Sequence, residues 1–171
     1  NPHTARAAVG ALVRRRRQRG FRYDSRPNRG FTMSFTCAIV TPSDAVLDTA
    51  ATYASFEAWD GQQGVATGAS AFLTKLGTGV VTVQAEGGAS RVFVLDGGFA
   101  QMDGTRLTLL TEKAMEATGI DAAAAERELA EANAKVLATG DAPMGLEARA
   151  SLERAQRLAR AKIAAAQLAR A

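Results

Sequence analysis

The chain has 171 residues and a formal net charge of +4, and 47% of its residues are hydrophobic, which suits one or two small domains. Its one histidine is His3 and its one cysteine is Cys37, so the main part of the chain offers no nucleophile paired with histidine, no His-ligated or multi-cysteine metal site and no internal disulfide. No apolar run approaches the length that crosses a bilayer. We therefore predict no catalytic residue, no bound metal and no cofactor.

The net positive charge of the chain comes from its first 32 residues. Nine of the 21 basic residues lie here, including the run Arg14–Arg17, against one acidic residue, Asp24, so this leader has a net charge of +8 and residues 33–171 have −4. The leader lacks the apolar core of a secretory signal. Three interpretations stay open: a disordered or artefactual extension ahead of a start at Met33, an organellar targeting segment, or a nucleic-acid-binding arm.

Residues 33–113 have the pattern of an all-β sandwich, since short alternating runs are separated by turns rich in glycine. The alternation also predicts that Cys37 is a buried apolar residue and not a reactive thiol. Trp59, just before the turn signal Asp60-Gly61, is expected to cover an edge of the core, with an exposed anchor for a partner as the alternative. Strands are predicted at 35–40, 46–47, 52–58, 80–83, 90–95, 99–102 and 106–110, with an exposed crossing and a second turn between 65 and 79 and a tight turn at Asp96-Gly97-Gly98.

Residues 114–171 have the pattern of two helices that fold back as an antiparallel hairpin, because Gly140 and Pro143 interrupt two long Ala-rich runs. The apolar stripes are mostly alanine, which buries little area, so the hairpin should be weakly held, as a conformational switch requires. The predicted class is α+β, an N-terminal antiparallel β-sandwich followed by this hairpin. The stripes comprise Ala125, Leu129, Ala132 and Val136 in the first helix and Leu152, Ala155, Ala159, Ile163 and Ala166 in the second.

Two stretches of the sandwich resemble the epsilon subunit of the F-type proton-translocating ATP synthase, whose mitochondrial equivalent is called delta. The first is Asp-Gly-x-x-Gly-Val followed by Gly-Ala-x-Ala-x-Leu-Thr-x-Leu-Gly-x-Gly-Val, over residues 60–80. The second is Val-Leu-Asp-Gly-Gly-Phe-Ala-Gln-Met followed by Leu-Thr-Leu-Leu-Thr-Glu-Lys-Ala, over residues 94–114. The chain departs from the family pattern at Gln62, Thr67, Ala69 and Ala71. These departures leave open how strongly the turn at residues 60–64 would bind a partner subunit.

The resemblance implies a non-catalytic rotor subunit. Its sandwich would pack on the gamma subunit and touch the c-ring through an exposed turn formed by Gly61, Gln62, Gln63 and Gly64. Its last helix would rise into the catalytic head, where Arg154, Arg157, Arg160 and Lys162 would meet the alpha and beta subunits and restrain ATP hydrolysis. A solvated basic face is the alternative for these four residues. The implied location is the cytoplasmic side of the bacterial cytoplasmic membrane, peripherally bound, or an organellar inner membrane if the leader is a transit peptide.

Some members of this family bind ATP at the start of the first hairpin helix through Ile/Leu-Asp-x-x-Arg-Ala. The corresponding segment here begins with Ile120 and Asp121, but Ala124 occupies the arginine position. A methyl group cannot replace a guanidinium that faces phosphate. ATP binding is therefore not expected, and Asp121 is equally well explained as a helix N-cap or a first-turn acid.

Two other classes of protein are alternatives to the rotor subunit. A small hydrolase or isomerase would need a titratable cluster, whereas the carboxylates of residues 33–171 fall mostly in turns and on helix faces. A small nucleic-acid-binding protein could use the Arg-rich leader, although the negative charge of the rest of the chain opposes it. Salt-sensitive binding that disappears on deletion of residues 1–32 would identify the second class.

Overall fold

The computed structural model describes residues 33–139 and 145–170, which belong to one compact unit. The predictions for the leader and for the breaker between the two helices therefore lie outside the described residues. The order of elements is seven strands followed by two helices. The strands are β1 Phe35–Val40, β2 Ala45–Ala58, β3 Gly61–Ala66, β4 Phe72–Ala85, β5 Ser90–Met102, β6 Arg106–Leu110 and β7 Ala114–Glu116, and the helices are α1 Ala122–Thr139 and α2 Leu146–Leu168.

The sheet closes on itself as a barrel-like sandwich, because β1 pairs with both β2 and β6 at the two ends of the order β1-β6-β5-β4-β2. β3 extends the sheet beyond β2, and β7 pairs with β5. All pairs are antiparallel except β1 with β6, which is parallel. The structure confirms the predicted β-sandwich followed by two helices, and the parallel pair is the one departure from a purely antiparallel sheet.

Three strands are longer than the sequence predicted. β2 is one strand where two were expected, and β4 begins at Phe72, inside the segment predicted as a crossing and a turn. β5 runs through Asp96-Gly97-Gly98, where a tight turn was predicted. Gly97 and Gly98 have φ of 73° and 116°, so the backbone bends there without reversing. β5 stays paired with β4 on both sides of the bend, from Leu76 with Gly98 to Thr78 with Asp96.

The interior of the sandwich confirms the alternation read in β1, where Phe35, Cys37 and Ile39 are all buried in the main core. Burial raises the pKa of the Cys37 thiol to about 12, with a further contribution from the negative charge of Asp48, which favours the protonated thiol at neutral pH. The largest fully buried side chains of this core come from all the long strands and include Phe56, Val81, Val83, Phe93, Leu95, Met102, Leu107 and Leu109.

The two helices form a layer outside the sandwich, in which α2 lies against β4 and β5 and α1 packs on α2. A second small core joins them to the sheet, and it contains Val94 of β5 with Ala161 and Ala165 of α2. These two alanines belong to a face of α2 that the predicted stripe did not include. Within the stripes, Ala125, Ala132, Ala159 and Ala166 are buried as predicted, whereas Val136 and Ala155 are exposed.

The short strand β7 lies just past residue 113, where the sequence placed the boundary between the two domains. Its register brings Ala114, Met115 and Glu116 opposite Leu95, Val94 and Phe93 of β5. A 3₁₀ turn at Ala117–Gly119 then leads to α1. The division into residues 33–113 and 114–171 remains a prediction, and the sheet itself extends to residue 116.

Candidate functional site

The hairpin between β2 and β3 contains the four residues predicted to form an exposed turn. Gly61, Gln62 and Gly64 are exposed as predicted, but the prediction of a turn is wrong. The turn consists of Trp59 and Asp60, and Gly61 already pairs with Ala58 as the first residue of β3. Gly61 has φ of 133°, a conformation that glycine adopts without a Cβ penalty. The other three predicted residues, Gln62, Gln63 and Gly64, follow along β3, opposite Glu57, Phe56 and Ser55. They flank the tip of the hairpin and do not form it.

Trp59 occupies the tip itself, and 72% of its surface is exposed. The prediction that it covers an edge of the core is therefore wrong, and the alternative, an exposed side chain, holds. The backbone explains this position, since the N–H of Trp59 donates to the carbonyl of Lys75 at 3.0 Å. With Ala58 buried on one side of the sheet, the next residue along the strand points to the other side.

An exposed apolar face extends from this tip across β4, β5 and β6. The register aligns Lys75 of β4 with Phe99 of β5, and Phe99 with Leu110 of β6. Phe99 and Leu110 are 51% and 44% exposed, and Leu73, two residues before Lys75, is 70% exposed. We call the set Trp59, Leu73, Phe99 and Leu110 the apolar face. The sequence did contain a signal for it, because Phe99 alternates with Ala100 and Met102, which are buried.

A cleft of about 710 Å³ separates this face from α2. Phe99 and Leu110 form part of one wall, and Arg154 of α2 contributes to the other. Asp96 and Glu112 also line the cleft. One end of the apolar face is therefore in the same cleft as the charged contact between the sandwich and the second helix.

Arg154, one of the four predicted inhibitory residues, is engaged with the sandwich. Its Nε donates to the Asp96 carboxylate at 2.9 Å, and its Nη2 donates to Glu112 at 3.3 Å. The Thr78 hydroxyl donates to the same Asp96 oxygen at 3.0 Å. Burial by itself raises the pKa of Asp96, but the hydrogen bonds from Arg154 and Thr78, with the positive charges of Arg154 and Lys113, outweigh it and lower that pKa below its ordinary value.

The other three predicted inhibitory residues differ in their surroundings. Lys162 is largely covered and donates to Glu128 of α1 at 2.6 Å. Arg157 and Arg160 are exposed, and no ion pair joins either of them to another residue within 33–139 and 145–170. The four cations therefore do not form one cluster in this conformation. Two are held by carboxylates of the chain itself and two face solvent.

Ile120 and Asp121 lie where the 3₁₀ turn meets α1. The Asp121 carboxylate accepts a hydrogen bond from the Ala123 N–H at 2.9 Å, which is the geometry of a helix N-cap. A cavity of about 440 Å³ opens beside them, also lined by Ala124 and Lys162. The remaining charged groups in its lining are the carboxylates of Glu116, Asp121 and Glu128. Because Lys162 is paired with Glu128, the lining does not fit a polyphosphate, in agreement with the loss of the arginine at position 124.

The part of the chain that the structure describes contains no group of three or more His, Cys, Asp or Glu side chains that could hold a metal ion. Neither described helix combines the length and the apolar character that a membrane span requires. The features that remain are the apolar face, the hairpin tip and the charged contact of α2, all of which suit binding to other proteins.

Comparison with known proteins gives the family. The sequence matches the family model for the "ATP synthase, Delta/Epsilon chain, beta-sandwich domain" over residues 34–117. The ATP synthase epsilon chain of Rhodopirellula baltica is 38% identical over 100 residues, which cover 58% of this chain and 77% of that protein. The ATP synthase epsilon chain of Synechococcus sp. (strain JA-2-3B'a(2-13)) is 32% identical over 129 residues, which cover 75% of this chain and 93% of the relative.

Solved structures agree at the level of the fold. A chain of the Euglena gracilis mitochondrial ATP synthase, in the OSCP/F1/c-ring structure, has a TM-score of 0.68 at 22% identity and covers 82% of this chain and 86% of that chain. A chain of the Tetrahymena thermophila mitochondrial ATP synthase central stalk/c-ring has a TM-score of 0.53 at 11% identity and covers 77% and 96%. These identities are low enough that the likeness concerns the fold alone.

The closed sandwich with its docked helix pair presents exposed apolar side chains, which suit binding to other proteins. The chain belongs to the ATP synthase epsilon-chain family, since relatives at 38% and 32% identity align over most of their own length. Members of this family are non-catalytic subunits of the ATP synthase. The resemblance read from the sequence and the predicted lack of a catalytic role are both confirmed.

Proposed function

We propose that this chain is the central-stalk subunit that links the gamma subunit to the c-ring during proton-driven ATP synthesis and that restrains ATP hydrolysis through its C-terminal helices. The observation that supports this most directly is that the described residues form two parts of different character. A closed sandwich forms a stiff body, and a helix pair is docked on it through a small, alanine-rich contact. The first part suits transmission of torque, and the second suits a switch.

The part of the apolar face formed by Leu73, Phe99 and Leu110 is the surface that we assign to the gamma subunit. These large apolar side chains stay exposed on one side of the sheet. Contiguous exposed apolar patches on a water-soluble surface mark sites of protein association. Lys75, which lies in the same row, adds a positive charge to an otherwise apolar surface.

The tip of the β2–β3 hairpin is the surface that we assign to the c-ring. The family contact implied by the sequence falls on Gly61, Gln62, Gln63 and Gly64, which begin β3 next to the tip. In this chain the most exposed large apolar side chain of the same hairpin is Trp59. We therefore extend the proposed ring contact from β3 to the turn that precedes it.

The restraint of ATP hydrolysis is assigned to α2. Arg157 and Arg160 are exposed in the docked conformation, whereas Arg154 and Lys162 become available only when α2 leaves the sandwich and separates from α1. Acidic segments of the alpha and beta subunits would then replace Asp96, Glu112 and Glu128 as partners. Attachment of the chain to the membrane would be indirect, through these subunits, on the cytoplasmic side in a bacterium.

The test is a titration of the catalytic head of an ATP synthase that lacks this subunit. Residues 33–171 should bind and slow ATP hydrolysis, whereas residues 33–117, which keep all seven strands, should bind without slowing it. Binding of both forms with no inhibition by either would leave a coupling subunit whose helices do not restrain hydrolysis. Absence of binding by both would refute the proposed function.

A further inference from the structure

Asp96 is an unusual residue in the sandwich, since it is one of two polar or charged residues that are buried among those described, the other being Thr111. Only 7% of its surface is exposed. Its position follows from the bend in β5, because Gly97 and Gly98 come directly after it with positive φ. The bend leaves the carboxylate at the cleft between the sandwich and α2, where Thr78 and Arg154 both donate to its Oδ1 atom.

We infer that Asp96 is a latch. By binding Arg154, it keeps α2 docked on the sandwich. The pair connects residues 58 positions apart, one in the sheet and one in the first half of α2. While the latch is closed, the Nε of Arg154 is occupied by Asp96. The assignment of the undocked state to restraint of hydrolysis rests on the function proposed above, whereas the latch itself does not.

The energetics of this pair depend on whether α2 is docked. A buried carboxylate without a partner is strongly disfavoured, and a charged donor at hydrogen-bond distance removes most of that penalty. If Arg154 were lost, Asp96 would keep only the Thr78 hydroxyl as a side-chain donor. The arginine side chain is 51% exposed, so the pair is partly screened and its contribution is smaller than that of a fully buried pair. Such a contact can hold a helix and still release it.

The other contacts of α2 make this pair important. The hydrogen bonds from Lys162 to Glu128 and from Gln156 to Asn133 join α2 to α1, so they can persist when the two helices leave together. Against the sheet, α2 contributes Ala161 and Ala165 to the small second core, with the partly buried Leu158 packed beside them. Alanine side chains bury little apolar area. The charged pair therefore adds to a modest apolar contact, and it is lost when α2 leaves the sheet.

Hydrogen exchange of the α2 amides in the full chain tests the latch. Asp96→Asn should accelerate exchange in α2 about tenfold, because an amide accepts a weaker hydrogen bond than a carboxylate. Arg154→Gln, which also removes the contact with Glu112, should accelerate exchange at least as much, and the double variant should exchange no faster than Arg154→Gln, since the two substitutions share one interaction. The matched control is Arg149→Gln, which removes an ion pair with Glu153 that lies within α2 and should leave exchange unchanged.

Exchange in β1 and β6, measured in the same samples, separates release of the helix from loss of the fold. Unchanged α2 exchange in Asp96→Asn would overturn the latch, and so would equal acceleration in α2 and in these strands. Additive effects of the two substitutions would overturn the direct pairing. In the titration of the catalytic head, Asp96→Asn keeps every residue of α2 and should inhibit hydrolysis at lower concentrations than the unmodified chain. Faster α2 exchange without stronger inhibition would support the latch and contradict the proposed function of the helices.

Discussion

Trp59 is a large apolar side chain that the two-residue turn between β2 and β3 holds in solvent. Because it contributes little to the core, Trp59→Ala should change the free energy of unfolding by less than about 0.5 kcal/mol. If it is an anchor for the c-ring, the same substitution should weaken binding to a complex that contains the ring by tenfold or more, since exposed tryptophans are frequent hot spots. Binding to the catalytic head without the ring should not change.

Phe56, on the same hairpin, provides the comparison. It lies opposite Gln63 and is fully buried, so Phe56→Ala should lose about 3–5 kcal/mol of stability. Urea unfolding measures both stabilities, and a pull-down with and without the ring measures the two affinities. Equal affinity of the Trp59 variant and the unmodified chain for the ring-containing complex would contradict the proposed anchor.

At the scale of single residues, sequence reasoning succeeded where a local pattern decides the outcome. Alternation placed Cys37 in the core, and helix-start chemistry offered the N-cap that Asp121 forms as one of its possible roles. It failed for Trp59, because the register of a hairpin decides whether a residue at its end faces the core or solvent. It also gave no indication that Asp96 and Arg154 would meet, since 58 residues separate them and each has an ordinary role in its own element.

The bend in β5 is the element on which the position of Asp96 depends, and Gly98 makes it sterically possible. Gly98 has φ of 116°, and a Cβ added to it would overlap the carbonyl oxygen of Leu110 on β6. Gly98→Ala should therefore be destabilising by more than about 3 kcal/mol, since it combines backbone strain with a clash against backbone atoms.

Gly104, in the turn between β5 and β6, is the matched control for this substitution. It also has positive φ, of 102°, but a Cβ there would have no atom within 4 Å. Gly104→Ala should cost only the conformational strain, about 1–2 kcal/mol. Chemical denaturation of the two variants distinguishes these effects, and equal losses would show that the approach to Leu110 is not what requires glycine at position 98.

Docking of α2 should depend on pH through Asp96. The hydrogen bonds and positive charges around the carboxylate lower its pKa in the docked state below the ordinary value of 3.8. A carboxylate with a lowered pKa stabilises the docked state at pH values above the ordinary pKa, and this stabilisation is lost as the pH falls through the lowered pKa. We expect docking to be constant from about pH 5 to 7 and to weaken below about pH 4.

Exchange in α2, corrected for the intrinsic pH dependence of the amides, provides the measurement. The Asp96→Asn variant should lose this acid dependence in α2. Asp103 also has a lowered pKa, caused first by hydrogen bonds from the Thr105 and Arg106 N–H groups in the turn before β6. Because this turn is not in contact with Asp96 or Arg154 through those bonds, Asp103→Asn should leave the acid dependence of α2 exchange intact. An acid response of α2 that survives in Asp96→Asn would assign the effect to another carboxylate.

The order of strands and helices could be predicted because each has its own local pattern, whereas lengths and docking faces could not. β4 and β5 are long because each pairs with neighbours along its whole length, and such pairing overrides the turn preference of an Asp-Gly-Gly segment. In α2, Ala159 and Ala161 are both buried, on different sides of the helix. Since alanine lines both sides, composition alone could not tell which one meets the sheet.

At the scale of the whole molecule, β7 connects the sandwich to the helices and should be counted with the sandwich in any dissection. It pairs with β5 at Phe93, Val94 and Leu95, and Glu116 accepts two hydrogen bonds from Arg91 at 2.9 and 3.0 Å. A fragment of residues 33–117 should therefore be more stable than one of residues 33–113 by about 2 kcal/mol, from two or more net hydrogen bonds.

Both fragments lack α2 and so uncover Val94, which is fully buried in the complete chain. Both should consequently self-associate more readily than residues 33–171. Only the difference in stability between the two fragments reports on β7. Urea unfolding followed by circular dichroism at low protein concentration gives that difference. Equal midpoints and slopes for residues 33–113 and 33–117 would mean that the sandwich folds without β7. The structural boundary between sandwich and hairpin would then coincide with residue 113, whereas a higher midpoint for the longer fragment would move it to the 3₁₀ turn at Ala117–Gly119.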